Sequence, residues 1–232
     1  MNCTCPLCQS TDLELFYSRP KDDREFWLCQ NCNFMHVPKG FHLNALDEKL
    51  IYDLHDNDQQ DQGYRKFLSR TLNPTLDFLS KQFPNTEKGE LLGLDFGCGP
   101  GPTLTIMANE QGYKVENFDK YYANTPALLK NNHYHFITST EVFEHLEQPT
   151  DIFRQLLDCL KNKGILTIMT KRLSDQSLTD KETFARWHYI QDPTHIGFFH
   201  INSFEWLAKK FNCHLKVISN DVVLFYKHAI EP

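Results

Sequence analysis

The period of the apolar positions changes repeatedly along this chain, and each change marks an element. Residues 13–17 and 25–28 are short apolar and aromatic runs of strand length. Leu46, Leu50, Ile51 and Leu54 recur at helical spacing before a polar break over 55–63. The helical period resumes over 64–83 through Phe67, Leu68, Leu72, Leu76 and Leu79, with Pro74 predicting a kink or a helix start. From residue 91 an apolar run too short for a helix leads into a glycine-rich turn and a helix from Thr103. A strand over 114–118, a short helix over 125–132 and a strand over 134–138 follow. The next helix spans 150–161, and Asn162-Lys163-Gly164 is expected to end it, with Gly164 just past its last turn. Then come a strand over 165–170, a helix over 203–211 and a hairpin of strands 214–219 and 221–226. Strands alternating with helices predict an α/β fold with a doubly wound, mostly parallel sheet.

The turn Asp95-Phe96-Gly97-Cys98-Gly99-Pro100-Gly101 carries the most chemistry. Glycine is needed where the backbone takes positive φ or lies flat against a ligand. Asp119 follows about twenty positions on, at the tip of the second strand, where a carboxylate can accept from ribose hydroxyls. That pair of features predicts an adenosine-type cofactor. A dinucleotide fingerprint sets a pyrophosphate against a helix N-terminus. Here an acid directly precedes the turn, which suits a cation better. The pattern resembles motif I of the class I methyltransferases that bind S-adenosylmethionine (SAM), a sulfonium without phosphate, and SAM is expected rather than NAD.

Cys5-Pro6-Leu7-Cys8 and Cys29-Gln30-Asn31-Cys32 form the second strong pattern. Two C-x-x-C turns twenty residues apart have the spacing of a four-cysteine zinc ribbon, each turn aiming two thiolates at one tetrahedral metal. So small a module buries little, so zinc would supply most of its folding energy, on the order of 10 kcal/mol. Cys3 could replace Cys5, but Cys5 has the better spacing; Cys98, Cys159 and Cys213 sit in core or cofactor-adjacent contexts.

The remaining composition narrows the class. A chain of 232 residues with 41% hydrophobic residues and eighteen Phe can hold one α/β domain and a small appendage. A net charge of −6, and four Lys/Arg against five Asp/Glu in residues 1–40, disfavour a nucleic-acid surface. A protein-contact or stabilising role is the plainer expectation for the ribbon. No run reaches the length of a membrane span and no signal peptide is evident. Paired cysteines fit a reducing, cytoplasmic setting.

Past the strand over 134–138, whose Thr138 is expected near the cofactor, stands Thr140-Glu141-Val142-Phe143-Glu144-His145. On one helical turn Glu141, Glu144 and His145 would share a face, and two carboxylates with an imidazole suit a divalent cation such as Mg. A substrate-facing cluster without metal is the other reading. Trp187-His188-Tyr189 and Asp192-Pro193-Thr194-His195 predict a substrate pocket wall. Without metal, His195 or His145 is the expected general base.

This arrangement resembles the ubiquinone-pathway O-methyltransferases and small-RNA 2′-O-methyltransferases, which join an E-x-x-E-H turn to a later histidine. The resemblance implies a second divalent site at Glu141, Glu144, His145 and His195. The whole chain resembles bacterial methyltransferase-domain proteins with an N-terminal C-P-x-C ribbon. That likeness rests on 52–57, 94–102, 140–145, Trp187-His188-Tyr189 and Asp192-Pro193-Thr194-His195. It implies a Rossmann-like SAM-methyltransferase fold, with Asp95, Gly97, Cys98, Gly99, Gly101, Asp119, Thr138 and Glu141 at the cofactor and His195, His145 and Glu141 catalytic. The family's third strand is missing or abbreviated here, and His135 stands where an Asp commonly begins strand four. The expected organisation is a zinc ribbon over 1–40, a helical lid over 41–90 and the SAM-binding domain over 91–232. The expected activity is O-methylation of a small-molecule hydroxyl, the rivals being a ribbon-guided RNA methyltransferase and a non-catalytic SAM-fold protein-binding module.

Overall fold

Residues 4–54 and 57–227 are described by a computed structural model. The apolar run after residue 90 forms strand β4 (Leu92–Phe96), and helix α3 (Thr103–Glu110) leaves the glycine turn. Strands β5 (Lys114–Phe118), β6 (Tyr134–Thr140), β7 (Leu160–Met169), β9 (Cys213–Val217) and β10 (Val222–Lys227) complete a six-stranded sheet, ordered β5-β4-β6-β7-β10-β9. β4 pairs in parallel with β5 and β6, and β6 with β7; β10 runs antiparallel to both β7 and β9.

Successive side chains of a strand face opposite sides of a sheet. Ile137, Leu166, Val223 and Phe225 join one core, covered by helices α4 (Pro149–Cys159) and α7 (Ile201–Lys210) through Phe153, Leu156, Phe204 and Leu207. Phe136, Ile165 and Leu224 join the other, covered by α3 and by α2 (Gln62–Gln82) through Leu68, Leu72, Leu76 and Leu79. The sheet is doubly wound. Asp61 caps α2 by accepting from the N–H groups of Gly63 and Tyr64, and Pro74 lies inside the helix rather than at its start.

Two expectations are corrected. Gly164 does not end a helix: α4 stops at Cys159, and β7 begins at once with Leu160. The residues before Ile165 form a bulge, with the register slipping between Tyr134 and Phe136 and Lys163 at φ +62°. Second, the helix over 125–132 reduces to one 3-10 turn, Pro126–Leu128. Among the described residues no third parallel strand follows, so β5 is the sheet edge. His135 has a local role, its Nδ1 accepting the Leu92 N–H at 3.0 Å as β4 begins.

The N-terminal residues form a second, four-stranded sheet, β1 (Leu13–Ser18), β2 (Glu25–Cys29), β3 (Met35–His36) and β8 (Gly197–Phe198). Its fourth strand comes from the far end of the chain: Met35 pairs with Phe198 and His36 with Gly197. Cys5, Leu7, Cys29, Cys32 and Phe34 belong to the same apolar core as Leu94 and Ile137. Packing is therefore continuous across residue 40. Helix α1 (Ala45–Tyr52), capped by Asn44, stands between the two sheets in sequence. No helix among the described residues is long and apolar enough to cross a membrane.

Candidate active site

The glycine turn owes its shape to two left-handed residues, Gly97 at φ +83° and Gly99 at φ +65°. A Cβ on Gly97 would lie 2.2 Å from Val142 Cγ2, and one on Gly101 would lie 2.7 Å from the Asn57 carbonyl oxygen. A side chain is excluded at Gly97 by both dihedral and space, and at Gly101 by space alone. The turn forms the floor of a cavity of about 610 Å³. Asp95, Gly97, Cys98, Gly99, Gly101, Asp119 and Glu141 all line it. Thr138 stands behind the wall, fully buried, donating through Oγ1 to Asp95 Oδ1 at 3.0 Å.

The two aspartates are held differently. Asp119 Oδ2 accepts the Gly99 N–H at 3.0 Å, and Oδ1 accepts those of Tyr121 and Tyr122 at 2.8 and 3.1 Å. Asp95 is nearly inaccessible, and burial pushes its carboxyl up to about 7 against the pull of Thr138, with the Asp119 charge adding to the rise. A cation in the cavity would be matched by both carboxyls, and the glycine cradle leaves room for a ligand lying flat on the backbone. The residues present fit SAM.

Asn57 closes the cavity over the glycines, its carbonyl accepting from Thr103 Oγ1 at 3.2 Å. His55 and Asp56, which precede it in the polar break, lie outside the described residues. Helix α1 is latched over the mouth through its polar side. Glu48 accepts from Tyr52, Tyr121 and Lys120 at 2.8, 2.5 and 2.7 Å, and Asp53 accepts from Tyr122 at 2.6 Å. Its Leu46 and Leu50, and Leu54 just past its end, are 69%, 55% and 81% exposed, so the apolar spacing marks a helix without marking its buried face.

At the other end, β6 hands over to Glu141 at φ +52° and then to a 3-10 turn, Phe143–His145. The expected shared helical face of Glu141, Glu144 and His145 is not formed. Glu144 is turned into the protein, fully buried, and accepts from Tyr189; Glu141 borders the cavity and accepts from the same hydroxyl at 3.2 Å. Burial raises both carboxyls, Glu144 to about 8 with the Glu141 charge adding to it. Glu144 Oε2 and Glu141 Oε1 are buried with no hydrogen-bond partner.

Both histidines line the cavity. His195 Nδ1 donates to the Tyr189 carbonyl at 2.7 Å, and His145 Nδ1 donates to the Thr194 carbonyl at 3.0 Å. Because Nδ1 must carry the hydrogen, each neutral ring keeps its Nε2 lone pair for other chemistry. Burial keeps both neutral, pushing His145 down to about 3 and His195 below its ordinary value, with Asp192 opposing. Ligand atoms of Glu144, His145 and His195 lie within 4.8 Å of one another; Glu141, the fourth ligand implied by resemblance, is not in that group. Of the segment expected as a pocket wall, Asp192 and His195 line the cavity, and Tyr189 stands buried behind them. It touches Glu141, Glu144, Thr170 and, ring to ring at 4.1 Å, His195. The sequence placed Tyr189 near the site, but no spacing signal announced its carboxyl partners.

The four ribbon cysteines also converge. Their sulfurs all lie within 4.8 Å of one another, with Cys5–Cys32 at 3.7 Å and Cys8–Cys29 at 3.4 Å. Four sulfurs at ~2.3 Å around one tetrahedral ion stand roughly 3.8 Å apart, so the cluster fits zinc. Hydrogen bonds from Cys32 and Cys5 push the Cys29 thiol down, while the same bonds push Cys5 and Cys32 up.

A family model described as a methyltransferase domain matches residues 64–217. The DszA carbon methyltransferase structure is similar at 13% identity, covering 79% of this chain and 58% of that one with a TM-score of 0.50. Magnesium protoporphyrin IX methyltransferase from Synechocystis PCC 6803, solved with bound SAH, is 11% identical over 81% of this chain and 96% of its own, at 0.49. A SAM-dependent methyltransferase from Archaeoglobus fulgidus is 15% identical, covering 71% and 100%, at 0.47. No curated protein matches the sequence.

Proposed function

The chain belongs to the methyltransferase-domain family, and from that premise we propose that it transfers the methyl group of SAM to a hydroxyl of a small, uncharged acceptor. The observation carrying this reading is one cavity with a cation-matched glycine floor at one end and two neutral imidazoles at the other. Gly97, Cys98, Gly99 and Gly101 would hold the donor with Asp95, and Asp119 would take its ribose hydroxyls. When bound, SAM supplies an electrophilic methyl on a sulfonium. His195 Nε2, aimed by the Tyr189 carbonyl, takes the acceptor's hydroxyl proton as the oxygen attacks; His145 stands beside it, with ring centroids 4.8 Å apart. Glu141, held by the Tyr189 hydroxyl, orients the acceptor, and α1 with Asn57 keeps water out, so most of the rate comes from positioning. Asp95, Asp119, Glu141 and Asp192 line the cavity against one lysine, Lys120, already paired with Glu48. That balance disfavours an anionic acceptor and, with the net charge of −6, RNA.

A second reading adds a divalent cation at Glu144, His145 and His195. It is favoured by their convergence and by the orphaned Glu144 Oε2. The cation would lower the pKa of the acceptor hydroxyl. The ribbon's zinc is structural in either case, and a partner protein docking on the ribbon is compatible with both.

The test is methyl-label transfer from SAM into a fractionated cell extract by zinc-loaded protein, with Mg²⁺ or with EDTA, beside calorimetry with S-adenosylhomocysteine. Label in a small neutral metabolite, lost in His195→Ala, supports the first reading; dependence on Mg²⁺ selects the second. Label in RNA replaces both, and failure to bind S-adenosylhomocysteine removes the enzyme reading altogether.

A further inference from the structure

The β1–β2 turn carries two arginines whose side chains leave the ribbon. Arg19 and Arg24 are only 6% and 3% exposed. Arg19 donates through Nε to Asp22 Oδ1 and through Nη1 to the Ile190 carbonyl, both at 2.8 Å. Arg24 stands 3.9 Å from Asp22 Oδ2, beyond hydrogen-bond reach. Two of its nitrogens reach elsewhere, Nη1 to the Asp192 carbonyl at 2.9 Å and Nη2 to the Ile190 carbonyl, while Nε is buried without a hydrogen-bond partner. Those carbonyls belong to the loop that aims His195. Within it, Tyr189 O accepts from His195 Nδ1, Asp192 Oδ1 accepts the Thr194 N–H at 2.8 Å, and Asp192 O accepts the His195 N–H at 3.3 Å. The pairing of β3 with β8 and the Val37 N–H to Ile196 carbonyl bond, 2.9 Å, fix the chain just after that loop from the ribbon side.

A buried guanidinium whose nearest carboxylate, Asp22, accepts from the Arg19 guanidinium instead is costly where an apolar side chain of similar volume would be cheaper. Its planar fork does what neither an apolar side chain nor a lysine can, bridging two carbonyls two residues apart. We propose that Arg24, seconded by Arg19, is a positioning residue of the methyl-transfer site, clamping the 189–195 loop from the ribbon hairpin so that His195 keeps its ring orientation. The ribbon thereby braces from behind the loop that carries Asp192 and His195 into the cavity wall. The clamp rests on the reading of His195 as the proton acceptor.

The test compares zinc-loaded full-length Arg24→Met and Arg24→Lys with the unsubstituted protein. Three readouts are taken: amide exchange of peptides covering 189–195, the imidazole tautomer of His195 by nitrogen NMR, and S-adenosylhomocysteine calorimetry. In Arg24→Met, exchange of the loop is expected to be about tenfold faster, and the His195 signal no longer reports a single Nδ1–H form. Zinc content and S-adenosylhomocysteine affinity stay as they were, because the donor floor lies on other elements. Arg24→Lys keeps the charge but cannot span both carbonyls, so it too loosens the loop, by less. Either variant, folded, with loop exchange and tautomer unchanged overturns the clamp; if Arg24→Met does not fold, Arg24→Lys decides. Unsubstituted protein that binds no S-adenosylhomocysteine overturns the methyltransferase reading instead, while the exchange result still judges the clamp.

Discussion

Asp95 is a carboxyl kept from water at the root of the glycine turn, with Thr138 as its one hydrogen-bond donor. Its folded value of about 7 stands above the ordinary 3.8, so the native state holds the proton more tightly than the unfolded chain. The associated stability is complete below about pH 4 and falls as pH rises toward 7, at about 1.4 kcal/mol per pH unit for one proton. Asp95→Asn, which can still accept from Thr138, is expected to remove that decline. Urea unfolding of both proteins at pH 5, 6, 7 and 8 measures it, and parallel profiles would refute it. At this scale much of the site was legible, because acids and glycines around a strand end obey tight spacing. Arg24 was not, because its partners are backbone carbonyls far off in sequence, and Tyr189 was legible only as part of a pocket wall, since its carboxyl partners lie as far away.

Among the elements, α1 shows how periodicity and burial can part. Leu46, Leu50 and Leu54 announce a helix, yet Glu48 and Tyr52 make its contacts with the loop after β5. Glu48→Ala removes the acceptor shared by Tyr52, Tyr121 and Lys120, and hydrogen bonds to a charged group are each worth about 1.5–3 kcal/mol when sheltered. The expected result is an unlatched helix, read as faster limited proteolysis between residues 45 and 62 and faster release of S-adenosylhomocysteine in stopped flow. Unchanged release would mean the latch does not gate the cavity. The strand–turn–helix around Asp95 and the final hairpin were readable from local pattern. The start of β7 was not: Asn162-Lys163-Gly164 has the residues of a helix stop, and the same residues serve a bulge. Only pairing with β6 tells the two apart.

For the molecule as a whole, the cysteine cluster and the sheet share one core, so they should melt together. Stripping the metal with a chelator, or Cys29→Ser, is expected to lower the midpoint of a single calorimetric transition by more than about 10 °C, since structural zinc contributes on the order of 10 kcal/mol to folding. A small separate low-temperature transition, with the main one unmoved, would show the ribbon to be an independent unit. The cysteine spacing was plain in the sequence. Its union with β8 was invisible, because two-residue strands leave no periodic trace.

The pairing of Met35 with Phe198 also orders events during synthesis. Strands β1, β2 and β3 are translated before the large sheet, yet the strand that completes their own sheet follows only after β4, β5, β6 and β7. Until then Phe34 has no Gly197 to cover and Arg24 no loop to grip, so the nascent metal-binding segment waits, half-built, for residues 190–198.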